Sequence, residues 1–175
     1  MRKWHLDPVD GFSPLVGRFA AMFADTRLRL HRELEGVGPT ELDAIPAWGA
    51  NSIGTLLYHL AAIELDWTFS DLLGVDEDGF PDGTGEWFPV DVREDNGRLS
   101  PVVEPLRRHL DRLEWVRGHL LGTLRGMSDA DLDRTFNEGH PDNTECGGAW
   151  VLHHLMQHEA EHRGQIGEIR VSLRT

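Results

Sequence analysis

The sequence predicts an all-α fold, a four-helix bundle with one long crossover, and three observations carry that expectation. Four long segments repeat apolar residues at three- and four-residue spacing, the mark of amphipathic helices. No stretch alternates convincingly at period two, which argues against a sheet. A connection of about 25 residues, 74–99, separates two helix pairs, and a bundle with one long crossover accommodates such a length.

The first helix runs from about Ser13 to Leu34, with Leu15, Phe19, Met22, Phe23, Thr26 and Leu30 on one side. The second runs from about Ser52 to Leu73 and carries Leu56, Leu60, Ile63 and Trp67 in register. The third, from Pro101 to Leu124, has Ser100 as a cap and Pro101 in its first turn. The fourth spans Gly148 to Leu173. The linkers Gly38-Pro39-Thr40-Glu41 and Gly126-Met127-Ser128-Asp129-Ala130-Asp131 each read as a short capped turn of helix. Gly54 to Leu60 resembles Gly148 to Leu155, which suggests two helical hairpins of related design, with His59 opposite His154. In the acidic crossover, Trp87, Phe88 and Pro89 imply that the loop packs down onto the bundle. Glu94 and Asp95 belong to its run of carboxylates.

The chain has 175 residues, taken as one domain over 1–175, and its 17 Lys and Arg against 30 Asp and Glu leave a net charge of −13. So acidic a surface repels phosphate backbones and anionic lipid, so neither nucleic acid nor membrane is an expected partner. No apolar run reaches the ~18 residues of a membrane span, and the start of the chain, Trp4 and His5 included, lacks a signal peptide's apolar stretch. A single cysteine, Cys146, excludes an internal disulfide and fits a cytoplasmic protein. It lies just before the fourth helix with no base evident beside it, and reads as a bystander thiol.

Histidine carries the functional signal: ten are present, and His154, His158 and His162 stand four apart on the fourth helix. On a helical wheel Val151, Leu155, His158, His162, Ile166 and Ile169 share one stripe, which must face the interior. His153, Gln157, Glu161, Gly164 and Glu168 fall opposite, and His154 sits at the stripe's edge. Two inward imidazoles at i and i+4 can grip one metal ion, which relieves the cost of burying unpaired polar rings. The alternative is a pair of core histidines bonded to other helices. A third ligand must come from elsewhere, and His59 on the second helix is the natural candidate. Three protein ligands leave positions open, as catalytic sites do. His154, Glu64 and Glu159 are candidates to hydrogen-bond the ligating rings or to add a ligand. Zinc, nickel, iron and copper all accept imidazoles; the expected cofactor is a divalent metal, zinc or nickel first, then iron or manganese. His109 and His119, ten apart on the third helix, cannot share a metal from that helix. His31 and His140 give no signal. Trp48, Trp87 and Trp150 lie near helix openings, where they could line a pocket mouth.

The pattern His59-Leu60 with Glu64 and Trp67 downstream, then His158-x-x-x-His162-Arg163-Gly164-Gln165-Ile166, resembles the DinB-like superfamily. It is also similar to the bacillithiol transferases and to the amino-terminal domain of mycothiol-dependent maleylpyruvate isomerases. The resemblance runs from about Phe12 to Leu173, with the closing motif as its specific part. It implies an up-down-down-up order of the four helices, a homodimer, and a divalent metal on His59, His158 and His162. The isomerases carry a further carboxy-terminal domain and this chain stops at Thr175, so their particular reaction is not expected.

The resemblance implies thiol S-transfer, with a small-molecule thiol or electrophile as partner. Metal-dependent hydrolysis is the alternative, because an open metal position can also activate water. His158-Glu159-Ala160-Glu161-His162 even fits the zinc-protease pattern His-Glu-x-x-His. Only thirteen residues follow His162, too few for that pattern's distant third ligand. A non-enzymatic metal-binding protein, a sensor or a structural staple, is the third reading.

Overall fold

The computed structural model describes residues 5–49, 51–91, 99–135 and 145–174. Trp4, Glu94, Asp95 and His140 lie outside the described residues. Six helices are present among those residues: α1 (Pro14–Glu33), α2 (Pro39–Asp43), α3 (Ile53–Asp66), α4 (Thr84–Trp87), α5 (Leu106–Arg125) and α6 (Gly148–Ser172). The architecture is all-α, with no strand among the described residues. Long helix α3 packs along α5 and α6, and α1 along α6. No described helix is long and apolar enough to cross a membrane.

Two sequence expectations shift. Leu15, expected inside, is 52% exposed, and α1 instead buries Val16, Ala20, Phe23 and Leu30. The stripe is rotated because Arg27, a residue the apolar pattern passes over, belongs to it. The opening of α1 is held from across the chain: Asp129 Oδ1 accepts from the N–H groups of Leu15 and Val16 at 2.8 and 3.2 Å. Asp129 stands in a single turn of 3-10 helix, Asp129–Asp133, opened by the expected capping box of Ser128 and Asp131.

The second shift concerns α5, which begins at Leu106 and not at Pro101. A helix started at Ser100–Pro101 would place Pro105 in its second turn, where proline removes a backbone hydrogen bond and clashes with the preceding turn. Residues 101–105 instead pass α3, and the Val102 N–H donates to Thr55 Oγ1 at 3.1 Å. Past Asp66, α3 widens into a π-helical segment, Trp67–Leu72. There the Thr68 hydroxyl donates to the Glu64 carbonyl at 2.6 Å.

The crossover does pack down, as its aromatic residues predict. Phe88 meets Tyr58 edge to face, with ring centroids 5.5 Å apart, and Trp87 stacks on Trp115 at 5.9 Å. The Tyr58 hydroxyl donates to the Val90 carbonyl at 2.8 Å, and Arg112, fully buried, donates to the Trp87 carbonyl at 2.7 Å. The same guanidinium reaches Glu104 and the His109 ring. Burial, then the Arg112 charge, pushes the His109 ring down to about 4, so this core histidine is neutral at pH 7.

At the centre sits an ion quartet with one member from each long helix: Arg27 of α1, Glu64 of α3, Arg117 of α5 and Glu159 of α6. Arg117 donates to Glu64 Oε1 at 2.5 Å and to Glu159 Oε2 at 2.7 Å. Arg27 donates to Glu64 Oε2 and Glu159 Oε1, both at 2.9 Å. Each arginine also reaches a backbone carbonyl on the other's helix, Arg27 to Leu113 and Arg117 to Phe23. Burial opposes the charge on Arg117, but Glu64 and Glu159 outweigh it and raise the guanidinium's pKa. Burial likewise opposes the charge on Glu159, and Arg27 and Arg117 overcome it, holding the carboxyl below its ordinary value.

Arg117→Leu leaves two buried carboxylates facing Arg27 alone. Breaking a buried network in this way is expected to cost about 3–5 kcal/mol, read as a lower urea midpoint at pH 7. Replacing all four members with apolar residues of similar volume should recover most of that loss.

Candidate metal centre

The α6 wheel holds in the folded chain. Val151, Leu155, Ile166 and Ile169 are buried, and His153, Gln157, Glu161, Gly164 and Glu168 are exposed. His158 and His162 are half-buried on the inner face, and His59 of α3 meets them. His158 Nε2 lies 3.1 Å from His59 Nε2 and 3.0 Å from His162 Nε2. One ligand nitrogen from each ring lies within 4.8 Å of the other two. The sequence placed these three residues together, and the structure brings them together.

The donor set suits a cation. A tetrahedral ion with nitrogens at ~2.1 Å would hold them about 3.4 Å apart, close to the spacing already present. Protons alone satisfy this cluster poorly. His158 Nε2 faces two other ring nitrogens and, in a neutral ring, carries at most one proton to share between them. Burial, then the charges of His162, His59 and His154, pushes the His158 ring down to about 3. Burial also lowers His162, against the raising effect of its bond to Gln165. Both rings are therefore neutral at pH 7, the form in which imidazole ligates.

Gln165 has a role the sequence did not assign. His162 Nδ1 lies 2.8 Å from Gln165 Oε1, one turn on along α6. A carbonyl oxygen only accepts, so Nδ1 carries the proton and the Nε2 lone pair is left for the cluster. The i, i+3 spacing of His162 and Gln165 was the available signal.

The three flanking residues land elsewhere. Glu64 and Glu159, expected as hydrogen-bond partners of the rings or as an added ligand, are instead taken up by Arg27 and Arg117. Both carboxylates are nearly fully buried, and such burial demands cationic partners. His154 is part of an aromatic stack. Its ring lies parallel to Trp150 at 5.1 Å and tilted against Trp67 at 4.3 Å. Its centroid is 6.0 Å from that of His158. Trp150 and Trp67 thus wall the histidine row at the start of the π-helical segment, while Trp48 is exposed beside a separate surface hollow that Gln165 also lines. Cys146 is buried among Leu132, Val151 and Leu152, away from any approaching reagent.

A family model described as the DinB superfamily matches residues 22–166, and the chain belongs to that superfamily. Among solved structures, the crystal structure of a conserved protein of locus from Enterococcus faecalis is similar, with a TM-score of 0.67 at 18% identity. The match covers 88% of this chain and 94% of that one, and it shows a shared fold. No curated protein matches the chain.

His59→Ala and His158→Ala are each expected to remove stoichiometric metal from the purified protein, measured by elemental analysis. Gln165→Ala should keep the fold and weaken metal affinity by about 10–100-fold, measured by competition with a chelator. Full metal occupancy in both histidine variants would contradict the triad.

Proposed function

We propose that this DinB superfamily member is a divalent-metal-dependent enzyme that conjugates a low-molecular-weight thiol to an electrophile. The single observation that carries the reading is the convergence of His59, His158 and His162, each offering a ring nitrogen within 4.8 Å of the other two. A half-buried cluster of this kind, with His59 also in the wall of a neighbouring cavity, leaves room for a small reactant. A divalent cation held there would supply a positive charge that lowers the pKa of a sulfhydryl or water placed beside it.

The chain's own residues favour thiol over water. A thiol with an ordinary pKa near 8.5 needs only a modest push to ionise at pH 7. Water needs a far larger one, and hydrolytic sites usually add a carboxylate base to move its proton. The carboxylate that the His-Glu-x-x-His pattern would nominate is Glu159, and Arg27 and Arg117 hold it ionised inside the core. Glu161, the other acid in that string, is exposed and bonded to Gln157. Neither can serve as that base.

In the proposed reaction the sulfur lone pair forms a carbon–sulfur bond at the electrophile. The electrophile's leaving group departs with its electron pair, and the thiol proton passes to solvent. His59, His158 and His162 orient the charge. Gln165 keeps the His162 tautomer competent, and the Trp150–His154–Trp67 stack shields that end of the row from water.

Conjugation of a thiol panel to monobromobimane is expected to fall at least about 100-fold after metal removal and to return on metal addition. A rate indifferent to metal would refute the scheme. Product release from ester substrates without added thiol would point to hydrolysis instead.

A further inference from the structure

His59 stands between two recesses. One is the cavity of about 510 Å³ that it lines with Ala62 and Ile63. The other is a hollow of about 350 Å³ toward the start of α3. That hollow reaches Leu56, three residues and about 4.5 Å of helix rise before His59. Leu56 and Ile169, both buried, give it an apolar floor, and Trp48, 60% exposed, stands beside them. A tight turn presents the indole: the Gly49 N–H donates to the Pro46 carbonyl at 2.9 Å. A Cβ at position 49 would come within 2.7 Å of Pro46 Cγ, so glycine is what lets the turn close. Two amides complete the wall, and both have their oxygens engaged. Gln165 Oε1 accepts from His162 Nδ1 at 2.8 Å, and Asn51 Oδ1 accepts from the Leu99 N–H at 3.1 Å. Neither amide –NH2 makes a hydrogen bond among the described residues, so what each has left to offer a ligand is donors only. Glu168, exposed at the rim, adds a carboxylate that disfavours an anionic ligand.

Resting on the thiol-conjugation reading above, we propose that this hollow seats the electrophile, and that the electrophile is a flat aromatic ring activated by uncharged nitro or carbonyl oxygens. Joining two molecules needs two places beside the reacting sulfur, and the two recesses flank His59. The Trp48 indole supplies a face on which a ring stacks. The –NH2 groups of Asn51 and Gln165 supply donors for the activating oxygens. Those donors act where charge develops: as the carbon–sulfur bond forms, a ring π pair moves onto a nitro or carbonyl oxygen, and N–H groups fixed there stabilise it. The pair then returns and expels the leaving group, and the sulfhydryl proton has gone to solvent. Gln165 thus serves both reactants, holding the His162 tautomer with its oxygen and the electrophile with its nitrogen.

The test reads binding and specificity separately. The probe 1,3-dinitrobenzene has the ring and the oxygens but no leaving group. Titrated into zinc-loaded, isotope-labelled protein, it is expected to shift the Trp48 indole N–H signal in NMR spectra saturably, that signal being assigned by its loss in Trp48→Phe. Isophthalate, the same ring with two carboxylates, should not. In conjugation of 2-mercaptoethanol, Trp48→Ala is expected to lower kcat/KM for 1-chloro-2,4-dinitrobenzene about tenfold, through KM. Trp48→Phe should restore it, and iodoacetonitrile, which has neither ring nor oxygen, should react at the wild-type rate in both variants. Asn51→Asp keeps the acceptor for the Leu99 N–H and loses the donors, so it should slow the nitroarene and spare iodoacetonitrile. A Trp48 signal indifferent to dinitrobenzene, or one that follows isophthalate as well, overturns the seat. So does an unchanged ratio of the two rates in Trp48→Ala, while metal-dependent conjugation of iodoacetonitrile leaves the thiol reading standing. Loss of metal-dependent conjugation with every electrophile overturns the thiol reading and this inference together.

Discussion

Four charges shut into the middle of the bundle govern how everything else can sit. Arg27, Glu64, Arg117 and Glu159 come one from each long helix, and their bonds are directional and nearly solvent-free. Hydrophobic contacts tolerate a helix sliding or turning by part of a residue, whereas a buried guanidinium–carboxylate fork does not. Glu159 follows His158 directly on α6, and Glu64 lies five residues past His59 on α3. Tying both carboxylates to the same two arginines therefore sets the height and rotation of the helices that carry the imidazoles. A slip of one turn, about 5.4 Å, would separate nitrogens that now lie 3.1 Å apart across the two helices.

The quartet also separates the two larger apolar clusters of the core. Val16, Phe23, Leu120, Leu124, Val151, Leu152 and Leu155 form one apolar cluster. Leu30, Leu34, Leu113, Val116, Ile166 and Ile169 belong to another. On α1 the change from one to the other falls at Arg27, on α5 at Arg117, and on α6 across Glu159 and His162. The polar layer is a shared rung of the bundle, and the candidate site is built on that rung, where the apolar stripe of α6 is already interrupted. The crossover then closes over α3 by polar anchors of the same kind, Arg112 on the Trp87 carbonyl and Tyr58 on that of Val90. Those anchors make the cavity beside His59 a feature of the fold.

Much of this was legible in the sequence, and the exceptions share a cause. The four long helices and the inward turn of His158 and His162 follow from periodicity, which is a property of one helix at a time. The meeting with His59 depends on two helices, yet it could be anticipated because two ligands on one helix demand a third. What escaped was charge inside an apolar stripe. Phe23-x-x-x-Arg27-x-x-Leu30 and Leu113-x-x-x-Arg117-x-x-Leu120 place an arginine at a core position, and Leu60-x-x-x-Glu64 and Leu155-x-x-x-Glu159 do the same with glutamate. Each alone reads as an exception; two of each sign, one per helix, can only be satisfied by one another. Missing Arg27 moved the α1 stripe onto Leu15, and leaving the glutamates unpartnered sent them to the histidines. The start of α5 had a visible signal in Pro105, which outweighs the favourable Ser100–Pro101 opening.

Charge balance links the quartet to the proposed cation more closely than position alone. Three neutral imidazoles bring no negative charge to a divalent ion, so its stability depends on the field of the surrounding protein. Two buried guanidiniums near the same rung would by themselves repel it, and in a low-dielectric interior that repulsion acts over long distances. Glu64 and Glu159 match those charges one for one, leaving the layer neutral. Had either carboxylate turned to the rings as a ligand, it would have left its arginines partly unpaired in the core. With the glutamates committed to the arginines, negative charge near the site must come from elsewhere. Glu161, on the exposed side of α6, is the acid whose charge reaches the His162 ring.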